Sequence, residues 1–322
     1  GPDKTDVIPV LKEILRIDPK IMILGSPWSA PAWMKTNADT RGGALKPEYY
    51  QTYANYLVRY IKAYKALGIN IDAITVQNEP LNPKNNPSMV MQAHEEADFI
   101  KNNLGPAFQH AGIKTKIIIY DHNADRPDYA DSILNDAQAA KYVDGSGFHL
   151  YGGKIEALDK LHNDHPGKNL YFTEQMVIER PNTPVSNIAS PVKRLFIGAT
   201  RSWCRNVLEW NLAADANNQP HTDRGGCPMC QGAVTIDKAA STRTIAYYAM
   251  AHASKFVRPG SVRIASNDTD ELPNVAFKTP KGKKVLIVVN SSKQPLTFGI
   301  QYKGKTATAR LDGGSVATYV WP

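Results

Sequence analysis

The sequence predicts an α/β protein with a parallel sheet, followed by a small antiparallel β module. Between about residues 5 and 255, short apolar runs alternate with amphipathic stretches, the pattern of strands joined by helices. After about residue 256, β-rich segments follow one another without an intervening helix pattern. Apolar residues make up 42% of the 322-residue chain and charged residues 21%, which is ordinary globular usage. A disordered or fibrous protein is therefore excluded.

Six apolar runs are the predicted parallel strands. In chain order they are Ile21–Leu24, Ala73–Val76, Lys116–Tyr120, Gly147–Leu150, Leu170–Thr173 and Val207–Trp210. An amphipathic helix over Asp6–Leu15 precedes the first run, and a long helix over Pro47–Leu67 separates the first two runs. Gly68 is expected to end the long helix as a C′ glycine.

The long helix carries large side chains at three- and four-residue steps. They are Tyr53, Tyr56, Leu57, Tyr60, Ile61 and Tyr64. A row of tyrosines can serve as a platform for sugars, but this helical spacing is typical of a face that packs on a core. The sequence therefore predicts that the stripe belongs to the core.

The last part of the chain predicts five antiparallel strands. They cover Asn274–Thr279, Lys284–Asn290, Leu296–Tyr302, Thr306–Leu311 and Val316–Trp321, with Gly, Lys and Ser turns between them. We therefore expect an α/β domain over residues 1–255 and a small β-sandwich over residues 256–322.

Charge and cysteine content narrow the possible functions. Lys and Arg exceed Asp and Glu by 8, but the basic residues are scattered, which argues against a nucleic-acid partner. The sequence contains no run of about 18 apolar residues, so it predicts no membrane-spanning helix. Cys227 and Cys230 have the spacing of metal ligands or a redox pair, yet no second pair completes a zinc site. A disulfide formed in an oxidising compartment is the favoured alternative.

Polar and aromatic residues follow the carboxyl ends of the six predicted strands. They are Ser26-Pro27-Trp28, Asn78-Glu79-Pro80, Asp121-His122-Asn123, His149-Leu150-Tyr151, Glu174-Gln175 and Trp210-Asn211. In a parallel barrel such ends meet at one rim, where active sites are built. This set suits a carbohydrate, because aromatic faces stack on sugars and paired carboxyl groups break glycosidic bonds. One Glu after a strand is more often a cap or an ion-pair partner, but Glu79 and Glu174 together at one rim favour catalysis.

Several of these motifs resemble glycoside hydrolase family 30. Val76-Gln77-Asn78-Glu79-Pro80 resembles the motif after barrel strand four in a large clan of retaining glycosidases, and Phe172-Thr173-Glu174 resembles the nucleophile motif after strand seven. Four segments resemble family 30 itself, namely Leu24–Lys35, Phe148–Tyr151, Glu209–Ala213 and His252–Phe256. The resemblance runs from about Asp6 to the end of the chain. It implies a (β/α)8 TIM barrel with a small antiparallel β-sandwich.

The resemblance also implies a role for each matched residue. Glu79 is expected to be the acid/base, Glu174 the nucleophile, and Asn78 the ligand of the sugar 2-hydroxyl. The subsite of the attacked sugar is expected to contain Trp28, His149, Tyr151, Trp210 and Asn211. Asp121 matches a polar rim residue of the family, with a helix cap as the alternative, and Trp210 is alternatively a core aromatic. No metal or organic cofactor is expected, because two carboxyl groups and water suffice.

The chain departs from the family pattern near its start. Family members have a side-domain strand and two barrel strands before the Ser-Pro-Trp segment, so the six strands here correspond to strands three to eight. An open parallel sheet leaves an apolar edge unpaired. We therefore expect a further N-terminal segment of the same barrel to supply the two missing strands.

Three loops resemble the microbial β-1,6-glucanase branch of the family, namely Gln77–Leu81, Asn85–Met89 and Gly226–Ile236. The expected activity is thus retaining hydrolysis of β-glucan, or of another β-linked glycoside, most specifically as an endo-β-1,6-glucanase. Glucosylceramidase or β-glucosidase-like activity and xylanase activity are the alternatives. A non-catalytic carbohydrate-binding protein is the alternative from another class, which the intact glutamates disfavour. A secreted, periplasmic or cell-surface location is expected, although the chain opens at Gly1 without a signal peptide.

Overall fold

The computed structural model describes residues 1–179 and 188–322. The chain divides into two compact units. The first unit comprises residues 1–153 and 160–170, and the second comprises residues 154–159 and 171–322. The domain boundary expected near residue 255 separates the α/β part of the chain from the antiparallel β module, and it does not refer to these compact units. It stays a prediction.

A parallel sheet forms the centre of the first unit. Its strands are β1 (Leu24–Gly25), β2 (Ala73–Thr75), β3 (Lys116–Ala124), β4 (Val143–Gly153) and the beginning of β5 (Asn169–Glu174). The strands lie side by side in chain order, and the pairs β1–β2, β2–β3 and β3–β4 are parallel. Strand β2 is completely buried and β3 nearly so, which explains why both read as continuous apolar runs. Because the strands are parallel, their carboxyl ends emerge at the same edge of the sheet.

Helices connect the strands, as predicted. They are α1 (Ile8–Ile17), α2 (Tyr50–Ala66), α3 (Ala93–Phe99), α4 (Gly105–His110), α5 (Pro127–Asn135), α6 (Ala137–Ala140), α7 (Ala157–Asp164), α8 (Ala189–Pro191) and α9 (Ile245–Ser254). Short 3₁₀ or π-helical segments cover Asp3–Val7, Ala32–Met34, Pro47–Tyr49, Ile100–Leu104 and Val192–Ala199. Gly68 has a φ of +82° and its amide donates to the Lys65 carbonyl. Gly68 therefore ends α2 as predicted, in a conformation that favours glycine.

The stripe on α2 is buried at four of its six positions. The buried side chains are Tyr53, Leu57, Ile61 and Tyr64. Tyr56 is 51% exposed, and Tyr60 is half-buried. The prediction that Tyr56 belongs to the core is therefore wrong. At 3.6 residues per turn, Tyr56 lies about 100° from the centre of the stripe, and Tyr60 lies at its margin.

Two predicted strands overlap the observed strands at a single residue each. The sequence predicts the first strand at Ile21–Leu24, but β1 covers only Leu24–Gly25, and Met22 is 70% exposed. In the second unit, β6 covers Cys204–Val207 instead of the predicted Val207–Trp210. The apolar residues before β1 and after β6 therefore lie outside the paired part of the strand, although the sequence predicts them to be in it.

The second unit contains the rest of β5, strand β6 and several short sheets. A four-stranded antiparallel sheet has the order β10 (Val262–Ile264), β11 (Asn274–Lys278), β12 (Lys284–Val289) and β15 (Val316–Trp321), and β13 (Leu296–Tyr302) pairs with β14 (Lys305–Leu311). These strands confirm the predicted β module, and β10 is an addition to it. A further small sheet, which the sequence does not predict, consists of β7 (Ala213–Ala214), β8 (Val234–Asp237) and β9 (Ala240–Arg243).

The structure answers two questions that composition leaves open. Cys227 and Cys230 form a disulfide, as the structural interpretation of this pair predicts. Among the residues that the structure describes, no helix combines the length and the apolar character needed to span a membrane. The predicted fold class is confirmed: an α/β protein with a parallel sheet and a small antiparallel module.

Candidate active site

Glu79 stands at a sharp corner that follows β2. Its φ is +44°, in the left-handed region, and its amide donates to the Asp121 carbonyl at 2.9 Å. The buried Gln77 side chain donates from Nε2 to the carbonyls of Trp28 and Asn78, both at 2.8 Å. These bonds tie the corner to the loop after β1 and to β3. The corner therefore holds Glu79 at the carboxyl edge of the sheet.

The Glu79 carboxyl group has partners on both oxygens. Its Oε2 accepts hydrogen bonds from the side-chain amides of Asn82 at 2.7 Å and Asn85 at 2.9 Å. Its Oε1 lies 3.2 Å from Nδ1 of His149 and 3.9 Å from Nε2 of His122. Burial alone raises the pKa of Glu79, but the hydrogen bond and charge of His149, with Asn82 and His122, lower the pKa below its usual value.

His149 lies between two carboxyl groups. Its Nε2 is 3.1 Å from Oδ1 of Asp121, while its Nδ1 faces Glu79. The His149 side chain is fully buried and Asp121 nearly so. Asp121 lies in β3 where the pairing with β4 is irregular, and its Oδ2 accepts a hydrogen bond from the Ser26 hydroxyl at 2.8 Å. Asp121 is therefore part of a polar cluster within the sheet edge, and it does not cap a helix.

Each of the two hydrogen bonds of His149 needs one hydrogen atom between the ring nitrogen and the carboxyl oxygen. If both carboxyl groups are ionised, the ring must carry a hydrogen on each nitrogen and is an imidazolium. If the ring is neutral, its Nε2–H donates to Asp121 and a protonated Glu79 donates to Nδ1. These two states differ by the transfer of one proton from His149 to Glu79. The set of Asp121, His149 and Glu79 can thus hold the proton that a general acid needs, although its partners lower the pKa of Glu79.

The first unit also positions the other residues expected to contact the sugar there. Asn78 is 4% exposed beside Glu79, and Trp28 is half-buried in the loop after β1. Tyr151, in β4, is 39% exposed, and its ring meets the His149 ring edge to face with centroids 6.1 Å apart. An exposed aromatic ring beside a polar cluster is a suitable surface for stacking a sugar.

The second unit holds the remaining predicted residues. Glu174 ends β5 and is half-buried. The Trp210 amide donates to the Gln175 carbonyl at 2.9 Å, and the Asn211 carbonyl accepts a hydrogen bond from the Ala233 amide at 2.8 Å. Within this unit, the expected nucleophile and the Trp210–Asn211 pair therefore follow neighbouring strands.

Glu209 directly precedes Trp210 and has no role in the predicted chemistry. Both of its carboxyl oxygens are buried without a hydrogen-bond partner in the described parts of the chain. Burial raises the pKa of Glu209 to about 8, so the side chain is largely a neutral acid at neutral pH. The side-chain oxygens of Gln175 and Asn211 are also buried without a partner among those residues. Hydroxyl groups of a bound ligand are the kind of donors that these oxygens lack.

Sequence reasoning does not single out four residues that contact the Glu79 cluster. Asn82 and Asn85 follow Glu79 by three and six residues, so their local spacing is a usable signal. Ser26 and His122 belong to strand-end segments that the sequence identifies. Only the fold shows that they face Asp121 and Glu79 respectively.

Comparison with known proteins gives two domain matches that together cover almost the whole chain. The model of the glycosyl hydrolase family 30 TIM-barrel domain matches residues 2–257. The model of the glycosyl hydrolase family 30 β-sandwich domain matches residues 260–319.

Individual relatives carry two of the activities named above. An endo-1,6-β-D-glucanase of Neurospora crassa is 37% identical over 331 residues, which cover 97% of this chain and 68% of that protein. The lysosomal acid glucosylceramidase of Mus musculus is 29% identical over 342 residues, which cover 98% of this chain and 65% of that protein. A solved endo-β1,6-glucanase has a TM-score of 0.93 at 34% identity, covering 100% of this chain and 75% of that one.

Proposed function

Because the chain belongs to glycosyl hydrolase family 30 and is therefore a glycoside hydrolase, we propose that it cleaves β-1,6-glucosidic bonds within glucan chains. The observation that carries this proposal is the buried Glu79 in a set that can hold a transferable proton, within an Asn78-Glu79-Pro80 motif that resembles the acid/base motif of the family. The linkage is supported by three endo-1,6-β-D-glucanases at 31–37% identity and by a solved endo-β1,6-glucanase with a TM-score of 0.93, whereas the glucosylceramidases are 26–32% identical.

The proposed mechanism is a retaining double displacement. Glu174 attacks the anomeric carbon while the bond to the leaving oxygen breaks and Glu79 gives that oxygen a proton. The product of this step is a covalent glycosyl-enzyme. Glu79, now ionised, takes a proton from a water molecule that attacks the same carbon and releases Glu174. Two inversions return the β configuration, and the reaction requires no metal or organic cofactor.

The Asp121–His149–Glu79 set supports both steps of this mechanism. A proton that moves from Nδ1 of His149 to Glu79 produces the neutral acid needed for the first step. In the second step Glu79 must be an ionised base, and the hydrogen bonds that Asn82 and Asn85 donate to its Oε2 favour that form. Asp121 remains an acceptor for Nε2–H throughout and so holds the ring in one orientation.

The remaining family-implied residues are proposed as sugar contacts. Asn78 would bind the 2-hydroxyl, an interaction that strengthens in the transition state. Trp28, Tyr151 and Trp210 would supply stacking faces, and Asn211 a hydrogen-bonding amide. The buried side-chain oxygen of Asn211, which has no hydrogen-bond partner among the described residues, supports this assignment.

Two further expectations are retained as proposals. We propose that an additional segment of the same barrel pairs with the outer edge of β1. The 70% exposure of Met22, two residues before that short edge strand, supports it. We also propose that the enzyme works in an oxidising, extracytoplasmic compartment, which the Cys227–Cys230 disulfide supports.

Product analysis tests the proposed linkage and the endo mode together. The chain is incubated with β-1,6-, β-1,3- and β-1,4-glucans, xylan and glucosylceramide, and early products are separated by size. Release of short β-1,6-linked oligosaccharides is the expected result, and glucose release from glucosylceramide alone would contradict it. NMR of the first-formed reducing end must show the β anomer, since the α anomer means inversion. A Glu174→Gln variant purified in parallel controls for contaminating glucanase.

A further inference from the structure

Glu96 is a buried carboxyl group behind the Glu79 cluster. It lies in α3, and its side chain is 0% exposed. The Tyr120 amide, in β3, donates to its Oε1 at 3.2 Å. The hydroxyl oxygen of Tyr129, in α5, is 2.8 Å from its Oε2. Glu96 therefore joins two helices to the strand that carries Asp121.

The Tyr129 hydroxyl has a second partner besides Glu96. This hydroxyl is 2.8 Å from the Met91 carbonyl oxygen as well as 2.8 Å from Glu96. A hydroxyl has one hydrogen to donate, so an ionised Glu96 and the Met91 carbonyl would compete for it. A protonated Glu96 instead donates to the Tyr129 oxygen, and Tyr129 donates to Met91. Every buried polar atom of this chain of hydrogen bonds is then satisfied.

The strand corner that Glu96 contacts is strained. Tyr120 and Asp121 are consecutive residues in the left-handed region, with φ of +71° and +57°. Such a conformation is unfavourable for a non-glycine residue and persists only where its surroundings hold it. The bond from the Tyr120 amide to Glu96 is one of the contacts that hold this corner, and the Asp121 carbonyl accepts the Glu79 amide on the other side.

We propose that Glu96 is a positioning residue of the glycosidase: a neutral carboxylic acid that fixes the Tyr120–Asp121 corner and thereby sets Asp121 against His149. This role rests on the proposed function of the Glu79 cluster. Glu96 touches neither the substrate nor the reacting atoms. It acts through the backbone of Tyr120.

The groups that face Glu96 give the proposal a pH dependence. Tyr129 faces it from α5, Tyr120 and Asp121 from β3, and Glu95 neighbours it on α3, where the Glu95 carboxylate accepts the Gln92 amide. Burial raises the pKa of Glu96 to about 7, opposed by the two tyrosine hydrogen bonds and reinforced by the Asp121 charge. Above that pH Glu96 becomes an anion beside Asp121 and competes with the Met91 carbonyl for the single Tyr129 hydrogen, so one of these two buried acceptors is left without a donor.

The test compares Glu96→Gln with Glu96→Ala over a range of pH. Gln has the donor and acceptor of the neutral acid, so Glu96→Gln should keep kcat within about fivefold at pH 6, since it adds one unpaired N–H. It should also lose less activity than the wild type between about pH 6 and pH 8. Glu96→Ala should lower kcat about 10²-fold with little change in KM, because the corner is released. Asp98→Asn, an exposed change on the same helix, is the control and should behave as the wild type.

Infrared spectroscopy provides a readout that does not depend on activity. At pH 6 the difference spectrum of wild type minus Glu96→Gln should show a carboxylic-acid C=O band, even if the protein proves inactive on every glucan, because the band of the neutral Glu209 is common to both proteins and cancels. Absence of a carboxylic-acid band from this difference spectrum would overturn the proposal. So would a large loss of kcat or of folding in Glu96→Gln at pH 6, because that is the behaviour of an ionised acceptor. Superimposable pH profiles of wild type and Glu96→Gln would overturn it as well.

Discussion

Glu79 in the first unit and Glu209 in the second are both largely buried glutamates that follow β-strands, yet their pKa values move in opposite directions. The Glu79 oxygens face two asparagine amides and His149, and the pKa is lowered. The Glu209 oxygens have no partner among the described residues, and burial raises the pKa to about 8. The two regions therefore prepare a carboxyl group in different charge states at neutral pH.

The difference shows that burial does not decide the charge of a carboxyl group by itself. Desolvation always favours the neutral form, and hydrogen-bond donors and positive charge oppose it. Glu96 is the intermediate case, because the two hydrogen bonds open to its ionised form only partly offset its burial. A glycosidase needs one carboxyl group that exchanges a proton readily. The donor-rich surroundings of Glu79 provide such a group, whereas Glu209 stays neutral until the pH is high.

The largest expected effect comes from the nucleophile in the second unit. Glu174→Ala should reduce turnover below detection, because no group remains to attack the anomeric carbon. Added azide should restore turnover of an activated aryl β-glucoside and give the α-glycosyl azide, identified by NMR. Glu209→Gln, on the neighbouring strand end, is the matched control and should keep measurable activity. Near-normal hydrolysis by Glu174→Ala would remove this residue from the mechanism.

Removal of the proposed acid/base in the first unit should lower the rate of cleavage by a factor that depends on the substrate. Glu79→Ala should slow cleavage of glucan by about 10²–10⁴-fold, because the poor leaving oxygen needs a proton. An aryl glucoside with an acidic phenol should lose far less in its first step, measured as the burst of phenol release. Equal losses on both substrates would contradict the acid role of Glu79.

A smaller effect, on stability, tests the isolation of Glu209. Its folded-state pKa lies above the unfolded value of 4.5, so the folded state binds the proton more tightly. The wild type should therefore lose stability as the pH rises from about 4.5 to about 8, by roughly 1–3 kcal/mol. Glu209→Gln cannot ionise and should not show this loss. Urea unfolding at both ends of the range measures the difference, and parallel stability curves would show that Glu209 has partners.

The smallest expected effect concerns one donor of Glu79. Asn82→Ala removes the 2.7 Å hydrogen bond to Oε2, so the pKa of Glu79 should rise. A carboxyl group whose pKa is lower in the folded state than in the unfolded state stabilises the fold when the pH is above its unfolded-state pKa. This stabilisation disappears as the pH falls through the folded-state pKa. The variant should therefore be about 1 kcal/mol less stable at pH 7 and closer to the wild type near pH 3. Urea unfolding at the two pH values measures it, and an equal deficit at both would contradict a charge-dependent role.

Much of the fold is readable from the sequence because a buried parallel strand is apolar on both faces. This holds for Ala73–Thr75, whose three residues are all buried. Prediction from apolar runs is less reliable at the ends of strands, as Val207–Trp210 shows, because an apolar residue does not reveal whether its backbone is paired. Tyr56 was misplaced for a related reason: a three-residue step can fall on the flank of a helix stripe.

The candidate site was predictable in its residue types and not in its connections. By itself, the sequence determined the α/β class, the carboxylates at the strand ends and the family to which Glu79 and Glu174 are matched, because these features are local in the chain. Only the tertiary structure decided that His149 stands between Glu79 and Asp121 and that Glu96 accepts a hydrogen bond from the Tyr120 amide, next to Asp121. It also decided that the Glu209 carboxyl group has no partner among the described residues. The physical reason is that a pKa depends on burial and on the donors within a few ångströms, and those neighbours come from distant parts of the chain.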